Sequence, residues 1–428
     1  MKTNPQKIAI DIREAGAEKT GKGWYTYNLV LELLKLDKKN EYLLYTDSEK
    51  NPYREFKNAK LCVIGGKGHR WHFNVLKDLK AVKPDLFFAP TSYIIPSLAP
   101  KWLKVIITVH DLVAFLFPAS HNAKAVLIER LTLRRAVKKA SQIFVVSENT
   151  QKDLLKRFRY PHERIHLVPC APSDFFREPS KPEDLAKFRQ KHHLPEQFIL
   201  AVGTLEPRKN FGTLIKSFVL IKSRLPESKL VIVGKKGWKY KHIEEKLREY
   251  HLENDVIFPG YLEAEDLKKM YACATVFVFP SLYEGFGIPP LEAMACGCPV
   301  VSSNVASLPE VVGDAGILIE PKNARKIADS VVSLIENDQI RNMLVERGLR
   351  RAEKFSWQHS AQAAIRVLRK WRSLTRRLKR MEGKDPFAKP KLVKRVKDKL
   401  FAGWFLKCQR ARKKQTGNQT QHQIDMKK

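Results

Sequence analysis

Two glutamates separated by seven residues, Glu284 and Glu292, frame the stretch of this sequence with the clearest chemical character. A carboxylate accepts two hydrogen bonds at once, so Glu292 could hold the vicinal hydroxyls of a ribose. Glu284 would then lie nearer to a sugar. Alternatively, both are solvated acids near the start of a helix, where the helix dipole favours negative charge. The spacing alone leaves both interpretations open.

The residues around these glutamates predict a strand, a loop and a helix. Residues 276–279 are β-branched and aromatic, as in an inner strand that is covered on both faces. Pro289 and Pro290 suit the first turn of a helix, where their missing N–H groups would have had no partner. Gly285 and Gly287 would let the backbone approach a ligand closely, and the helix N-terminus would favour an anion such as a diphosphate.

Two adjacent cations, Arg208 and Lys209, follow an earlier predicted strand in the segment Gly-Thr-Leu-Glu-Pro-Arg-Lys-Asn, residues 203–210. At a loop that faces a cleft, this pair could neutralise a diphosphate. A solvated pair at the start of a helix is the alternative. That alternative is disfavoured because cations there oppose the helix dipole.

His110 ends a further predicted strand and is followed directly by Asp111. A histidine at this position can donate a hydrogen bond to a sugar hydroxyl, or it can bond to Asp111 for structural reasons. Near the N-terminus, Gly21 and Gly23 stand in a predicted strand-to-helix loop. They could approach a phosphate or simply form a turn.

The run from residue 281 to residue 301, SLYEGFGIPPLEAMACGCPVV, resembles the signature of retaining family 4 glycosyltransferases. The resemblance covers about residues 5–372, with several motifs in the right order. It implies the GT-B fold, which consists of two Rossmann-like domains with a nucleotide-sugar in the cleft between them. The segment at residues 203–210 is similar to versions found among mannosyltransferases, so GDP-mannose is the first candidate donor.

The resemblance also implies roles for the candidate site residues. Arg208 and Lys209 would bind the donor diphosphate, and His110 would contact the donor sugar. Glu284 would orient that sugar, with a nucleophilic role left open. The remaining candidates would bind substrate: Gly21, Gly23, Gly285, Phe286, Gly287 and Glu292. Many family members carry an arginine where this chain has Thr204, so only two cations can be assigned.

The order of predicted elements indicates an α/β protein in which parallel strands alternate with helices. We expect an N-terminal Rossmann-like acceptor domain at 1–175 and a C-terminal nucleotide-sugar domain at 195–355. A proline-rich linker is expected at about 170–195, a crossover helix at 356–372 and a basic tail at 373–428. Thirteen strands are expected, seven before the linker and six after it.

The composition narrows the possible classes of protein. The chain has 428 residues, of which 43% are hydrophobic, enough for two or three domain cores. No run approaches the roughly 20 apolar residues of a membrane-spanning helix. The six cysteines form no C-x-x-C pair, and the N-terminus does not resemble a signal peptide, so reduced thiols in the cytoplasm are expected. No Asp-x-Asp occurs, and we expect neither a metal nor another cofactor.

The net charge of +34 implies an anionic partner: phosphate, nucleic acid or a membrane surface. Residues 366–428 contain 22 Lys or Arg against four Asp or Glu, so they carry +18 of that charge. Within them, an apolar residue recurs every fourth position: Leu392, Val396, Leu400 and Trp404. This spacing predicts an amphipathic helix, and residues 373–414 are expected to contact an anionic membrane surface. Packing against the protein body is the alternative.

We therefore expect a retaining, metal-independent enzyme. It would move a hexose from a GDP- or UDP-sugar to a glycan or lipid-linked acceptor, peripherally on the inner face of the cell membrane. The alternatives are a nucleotide-sugar epimerase or a phosphorylase on the same fold. A basic nucleic-acid-binding protein is the non-enzymatic alternative. It is disfavoured because the excess charge is concentrated in the tail and the body has no recognised nucleic-acid motif.

Overall fold

Two parallel β-sheets organise this protein in a computed structural model that describes residues 5–16, 21–50, 52–118, 123–237 and 240–382. The chain divides into two compact units. The first unit, Met1–Tyr160 with Ile165–Ala364, contains both sheets. The second comprises Pro161–Arg164 and Ile365–Lys428. The apolar stripe predicted at residues 392–404 lies outside the described residues.

The first sheet has seven parallel strands in the order β3-β2-β1-β4-β5-β6-β7. They are β1 Lys7–Asp11, β2 Glu41–Thr46, β3 Ala59–Val63, β4 Leu86–Ala89, β5 Val105–Val109, β6 Gln142–Val145 and β7 Ile165–Leu167. The inner strands β4, β5 and β6 are buried along their whole length, as expected for strands covered by helices on both faces.

The second sheet has six parallel strands in the order β10-β9-β8-β11-β12-β13. They are β8 Phe198–Val202, β9 Lys229–Val233, β10 Val256–Gly260, β11 Val276–Phe279, β12 Val300–Ser303 and β13 Gly316–Ile319. In both sheets the strand order reverses beside the first strand. Ligands of open α/β sheets bind at such points, outside the carboxyl ends of the strands.

The helices lie between the strands and supply the other half of each core. In the first half of the chain they are α1 Gly21–Leu36, α2 His69–Val82, α3 Ile94–Leu98, α4 Val113–Leu116, α5 Ala123–Lys139, α6 Glu148–Arg157 and α7 Pro182–Lys191. In the second half they are α8 Phe211–Lys222, α9 Lys241–Glu249, α10 Ala264–Cys273, α11 Ile288–Ala295, α12 Leu308–Val312, α13 Ala324–Glu336, α14 Asp338–Glu353 and α15 Trp357–Glu382.

The expected α/β fold is confirmed, with a strand at each of the thirteen predicted positions and bounds that shift by at most two residues. Three local features differ from expectation. Gly21 and Gly23 lie in the first turn of α1 rather than in a loop before it. The predicted linker includes the helix α7, which begins at a proline. Finally, α15 extends beyond the predicted end at residue 372.

Each sheet has its own hydrophobic core. Phe87, Ile107 and Val145 belong to the first core, and Ile232 and Val278 belong to the second. No helix within the described residues is both long enough and apolar enough to cross a bilayer.

Candidate active site

The predicted cations and the first glutamate meet where the strand order of the second sheet reverses. Arg208 and Lys209 follow β8, and Glu284 follows the neighbouring strand β11. The turn that carries the cations, Pro207–Lys209, ends at Asn210, which has a left-handed backbone with φ 60°. The Asn210 amide donates to the carbonyl of Pro280 at 3.0 Å, which ties this turn to the end of β11.

Glu284 pairs with both cations at once. Its Oε2 lies 2.8 Å from Arg208 Nη1, and its Oε1 lies 2.6 Å from Lys209 Nζ. Arg208 also pairs with Glu206 at 2.5 Å and donates to the Tyr283 carbonyl at 2.7 Å. All three members of the central cluster are at most 13% exposed, so the cations are not the solvated pair that was the alternative interpretation.

The electrostatics of this cluster keep Glu284 ionised. Burial raises the pKa of its carboxyl, but Lys209 and Arg208 outweigh burial and leave that pKa below its ordinary value. Arg208 stays fully protonated, because Glu284 and Glu206 raise its pKa against the effect of burial. Burial lowers the pKa of Lys209, and Glu284 opposes that effect. The cluster therefore sets the cationic side chains of Arg208 and Lys209 against Glu284, with Glu206 beside Arg208.

His110 lies at the end of β5 with a fixed tautomer. Its Nε2 is 2.7 Å from the carbonyl of Pro90, and a carbonyl only accepts, so Nε2 carries the hydrogen. Burial and then Lys22 lower the pKa of the ring to about 4, so it is neutral near pH 7 and Nδ1 has no hydrogen. With its N–H used by Pro90, a neutral His110 has no ring N–H left to donate to a sugar hydroxyl. The ring offers Nδ1 as an acceptor, because Pro90 already uses its N–H.

The loop after β11 is held against the first sheet by its backbone and by Tyr283. The Tyr283 hydroxyl donates to Asp153 at 2.9 Å and lies 3.4 Å from the backbone nitrogen of Leu112. At Gly285 the backbone is so close to His110 that an added Cβ would stand 1.9 Å from the His110 carbonyl oxygen. Gly285 therefore permits close approach of another backbone, whereas we expected close approach of a ligand.

The next two residues of the loop also have structural tasks. The Phe286 side chain is buried and stacks edge-on against Phe355 with ring centroids 5.7 Å apart, so only its backbone can serve substrate binding. Gly287 has φ 111°, and an added Cβ would stand 2.7 Å from Leu308. A side chain at Gly287 would be strained, which explains the glycine directly before α11.

Glu292 lies in the second turn of α11, away from the cation cluster. Its Oε2 accepts a hydrogen bond from the hydroxyl of Tyr271 at 3.2 Å. Burial raises the pKa of Glu292 to about 7, and the bond from Tyr271 opposes that rise only in part. Unlike Glu284, Glu292 has no cation within ion-pair distance among the described residues. Its acceptor atoms remain available for hydroxyl groups.

The sequence is 34% identical to the O-antigen chain mannosyltransferase B of Escherichia coli over 293 residues, which are 67% of this chain and 74% of that protein. Two family profiles also match in succession. The profile described as Glycosyltransferase Family 4 matches residues 20–171, and Glycosyl transferases group 1 matches residues 183–351.

The chain belongs to the family 4 glycosyltransferases.

Other comparisons agree with this glycosyltransferase assignment. The serotype-specific mannosyltransferase WbdA of Escherichia coli is 29% identical over 342 residues, although these are only 41% of its length. Sucrose-phosphate synthase from Thermosynechococcus elongatus superposes with a TM-score of 0.70 at 22% identity, over 86% of this chain and 100% of that one. Anabaena HepE, solved in complex with UDP and glucose, superposes with a TM-score of 0.70 at 20% identity, over 85% of this chain and 99% of that one. These structural likenesses establish the GT-B fold.

Two residues of the glycosyltransferase site escaped prediction. Glu206 was overlooked because a glutamate two residues before an arginine is common on any surface. Lys22 stands between the glycines of the first turn of α1, and its Nζ lies 3.8 Å from Asp111 Oδ2. The sequence signal that could have identified Lys22 is its position between two glycines at a predicted strand-to-helix loop. The Lys22 side chain is 41% exposed, so this cation remains accessible beside His110.

The predicted glycines Gly21 and Gly23 flank Lys22, and an added Cβ at Gly21 would meet open space. Gly23 is buried within α1. No group of three or more His, Cys, Asp or Glu side chains in the described ranges is arranged to hold a metal ion. Metal independence remains a prediction.

Proposed function

We propose that this glycosyltransferase moves a hexose, with mannose as first candidate, from a nucleotide-sugar to a glycan or lipid-linked acceptor with retention of anomeric configuration. The observation that carries this proposal is the cluster of Arg208, Lys209 and Glu284, whose side chains are 12–13% exposed, at the point where the strand order of the second sheet reverses. The names of the mannosyltransferase relatives support the sugar and the role in surface polysaccharide synthesis. UDP-sugars are the alternative donors, and the structure of HepE in complex with UDP supports this alternative.

The chemistry assigned to these residues is charge stabilisation and orientation. In the proposed step, the acceptor oxygen forms a bond to the anomeric carbon on the face from which the diphosphate leaves. The bond from that carbon to the diphosphate oxygen breaks, and the acceptor proton passes to that oxygen. Arg208 and Lys209 stabilise the charge that grows on the diphosphate. Arg208 Nε has no hydrogen-bond partner in the described part of the chain, so the guanidinium has unused donor capacity.

The other site residues bind and orient the donor. His110 Nδ1 accepts a hydrogen bond from a sugar hydroxyl, and Glu284 moves from the cations to the sugar when the diphosphate arrives. Glu292 holds the ribose hydroxyls. Because the protein itself supplies the positive charge, we propose that transfer needs no metal. Residues 373–414 are proposed to bring the enzyme to an anionic membrane at the inner face.

The test is calorimetric titration of the full chain with GDP-, UDP- and ADP-sugars, followed by transfer assays in excess EDTA. We expect one nucleotide to bind selectively, transfer to continue in EDTA, and NMR of the product to show the anomeric configuration of the donor. Binding of none of these donors would overturn the proposal. An inverted product would overturn retention, and free epimerised nucleotide-sugar without acceptor would identify an epimerase.

A further inference from the structure

A cavity of about 720 Å³ lies between helices α8 and α9, which follow the first two strands of the second sheet along the chain. Its described lining residues lie within 205–216 and 241–246. They belong to the turn after β8, the first two turns of α8 and the first two turns of α9. Small-molecule pockets have volumes of roughly 300–1,000 Å³, so this cavity has the size of a ligand site. We call it the α8–α9 cavity.

Three lysines line the α8–α9 cavity. Lys216 belongs to α8, and Lys241 and Lys246 belong to α9. Lys216 and Lys241 are exposed, and neither forms an ion pair with a carboxylate in the described part of the chain. Their charges are therefore available to a ligand.

The two acidic residues of the lining already have partners. Glu206 Oε1 lies 2.5 Å from Arg208 Nη2, and Glu245 Oε2 lies 3.7 Å from His242 Nδ1. These carboxylates do not neutralise the three lysines. The walls of the cavity therefore favour an anion.

Lys246 is held in place before any ligand arrives. Its side chain is only 14% exposed, and its Nζ lies 3.8 Å from Glu249 Oε2. Its Cε lies 3.6 Å from the point where a Cβ of Gly212 would stand, so the lysine chain runs along the first turn of α8. A side chain that is already ordered loses less entropy when it binds a ligand.

The cavity also has an apolar part. Leu205, Phe211 and Ile243 line it and are at most 6% exposed. Apolar carbon atoms beside a group of cations suit a phosphate that is attached to a carbon skeleton. A sugar phosphate has this composition, because its phosphate carries a charge of about −1.5 to −2 near pH 7 and its ring has apolar C–H faces.

One wall of the cavity is the turn that carries the cation cluster of the active site. Glu206 and Pro207 line the cavity, and Arg208 and Lys209 follow them directly. Glu206 is also the ion-pair partner of Arg208. An anion in the cavity would therefore act on the same turn as a diphosphate at the cation cluster, and two anions at close range repel each other.

We propose that the α8–α9 cavity is a regulatory site for a small sugar phosphate, which lowers the affinity of the enzyme for its donor. The phosphate pairs with Lys216, Lys241 and Lys246, and the sugar ring lies against Phe211. The binding part of this proposal is independent of the proposed function, whereas the effect on donor affinity rests on it. Because coupling between two sites is reciprocal, the donor weakens sugar phosphate binding by the same factor.

The experiment is calorimetric titration of the full chain with mannose 6-phosphate and, separately, with inorganic phosphate, in the absence of donor. The cavity variant is Lys216→Gln with Lys241→Gln, and a second variant keeps the charges as Lys216→Arg with Lys241→Arg. The matched control is Lys77→Gln with Lys80→Gln, which removes the same charge from exposed positions of α2. Thermal melting of each variant shows that the fold is intact.

We expect mannose 6-phosphate to bind wild type more tightly than inorganic phosphate does, because only the sugar phosphate uses the apolar part. The cavity variant should lose about tenfold or more in affinity, while the arginine variant and the control bind like wild type. Lys209→Ala, which alters the cation cluster, should retain mannose 6-phosphate binding. Equal binding by the cavity and control variants would overturn the proposal. Loss of binding in Lys209→Ala alone would assign the anion to the cation cluster and overturn it as well.

The regulatory effect is measured by titrating the nucleotide-sugar with and without saturating mannose 6-phosphate. We expect the donor to bind about fivefold more weakly in its presence, and we expect no such effect in the cavity variant. Unchanged donor affinity in wild type would overturn the regulatory role. If no nucleotide-sugar binds at all, the proposed function fails, and the titrations without donor still decide whether the cavity is a binding site.

Discussion

Glu284 is paired with the two cations that we propose bind the donor diphosphate. In the cluster formed with Arg208 and Lys209, its carboxylate makes ion pairs of 2.8 and 2.6 Å. We propose that a donor diphosphate takes over these cations from Glu284. The sugar attached to that diphosphate offers hydroxyl groups that can donate to the displaced carboxylate. In this proposal, donor binding and the orientation of the sugar are coupled through the Glu284 side chain.

The first prediction concerns Lys209. We expect Lys209→Ala to abolish transfer and to weaken nucleotide-sugar binding, because a charge-assisted hydrogen bond to phosphate contributes about 1.5–3 kcal/mol. That range corresponds to roughly tenfold to 150-fold in affinity. Calorimetry and turnover are the measurements. The matched control is Lys229→Ala, which removes a lysine from an ion pair of 2.7 Å with Asp255 on the surface of the same domain. Wild-type turnover by Lys209→Ala would contradict the assignment.

The second prediction separates the two glutamates. Glu292→Gln should weaken the binding of free nucleoside diphosphate, because this residue is assigned to the ribose. Glu284→Gln should bind that nucleotide at least as tightly as wild type, since it no longer competes as an anion for Arg208 and Lys209. Its turnover should fall by at least about tenfold, as expected for loss of an interaction with the reacting sugar. If both variants bind and turn over like wild type, the assigned roles are wrong.

The third prediction follows from the buried position of Glu292. Burial raises its pKa from the ordinary 4.5 to about 7, so below pH 7 the carboxyl is mostly protonated. The ionised form is the stronger acceptor for ribose hydroxyls, so donor affinity should rise by up to about tenfold between pH 6 and pH 8 and then level off. A nucleotide-sugar is the right probe because its diphosphate does not titrate in this range. An unchanged pH profile in Glu292→Gln would contradict this origin.

At the scale of elements, the loop between β11 and α11 joins the two sheets. Tyr283 and Gly285 both contact the first sheet's side of the site, through Asp153 and the His110 carbonyl. Glu284 stands between them and points back to the second sheet's cations. The loop therefore fixes the distance between His110 and the cation cluster.

Gly285→Ala tests the close contact between this loop and the His110 backbone. The added Cβ would lie 1.9 Å from the His110 carbonyl oxygen, so one of the two backbones must move. We expect a loss of about 1–3 kcal/mol of stability, typical of overpacking, together with a loss of turnover. The control is Gly65→Ala, where an added Cβ meets no atom within 4 Å. A wild-type melting temperature and wild-type turnover in Gly285→Ala would show that this loop does not fix the distance between His110 and the cation cluster.

The elements show what a sequence can and cannot predict here. β-branched runs followed by helical stretches located every strand, because local pattern determines parallel strands that are buried on both faces. The pairing of Glu284 with Arg208 joins residues far apart in the chain, so the spacing of motifs in the sequence could not predict it. The tautomer of His110 depends on the Pro90 carbonyl from a different strand.

At the scale of the whole molecule, the +34 charge is divided between a body that contains the site and a C-terminal segment of +18 from residue 366 onward. The last prediction concerns truncation after Glu382, which keeps α15 and removes the predicted stripe from Leu392 to Trp404. Each Lys or Arg near an anionic surface contributes on the order of 1 kcal/mol within a Debye length of roughly 8–10 Å. The stripe adds apolar burial at about 25 cal/mol per Å².

Truncation should therefore spare transfer to a soluble acceptor analogue and lower transfer to acceptor in anionic vesicles, with the difference shrinking at high salt. Sedimentation with vesicles across ionic strength provides the control. If the full-length protein ignores anionic vesicles at low salt, the tail does not bind membranes, and packing or nucleic-acid binding becomes the favoured role for its charge.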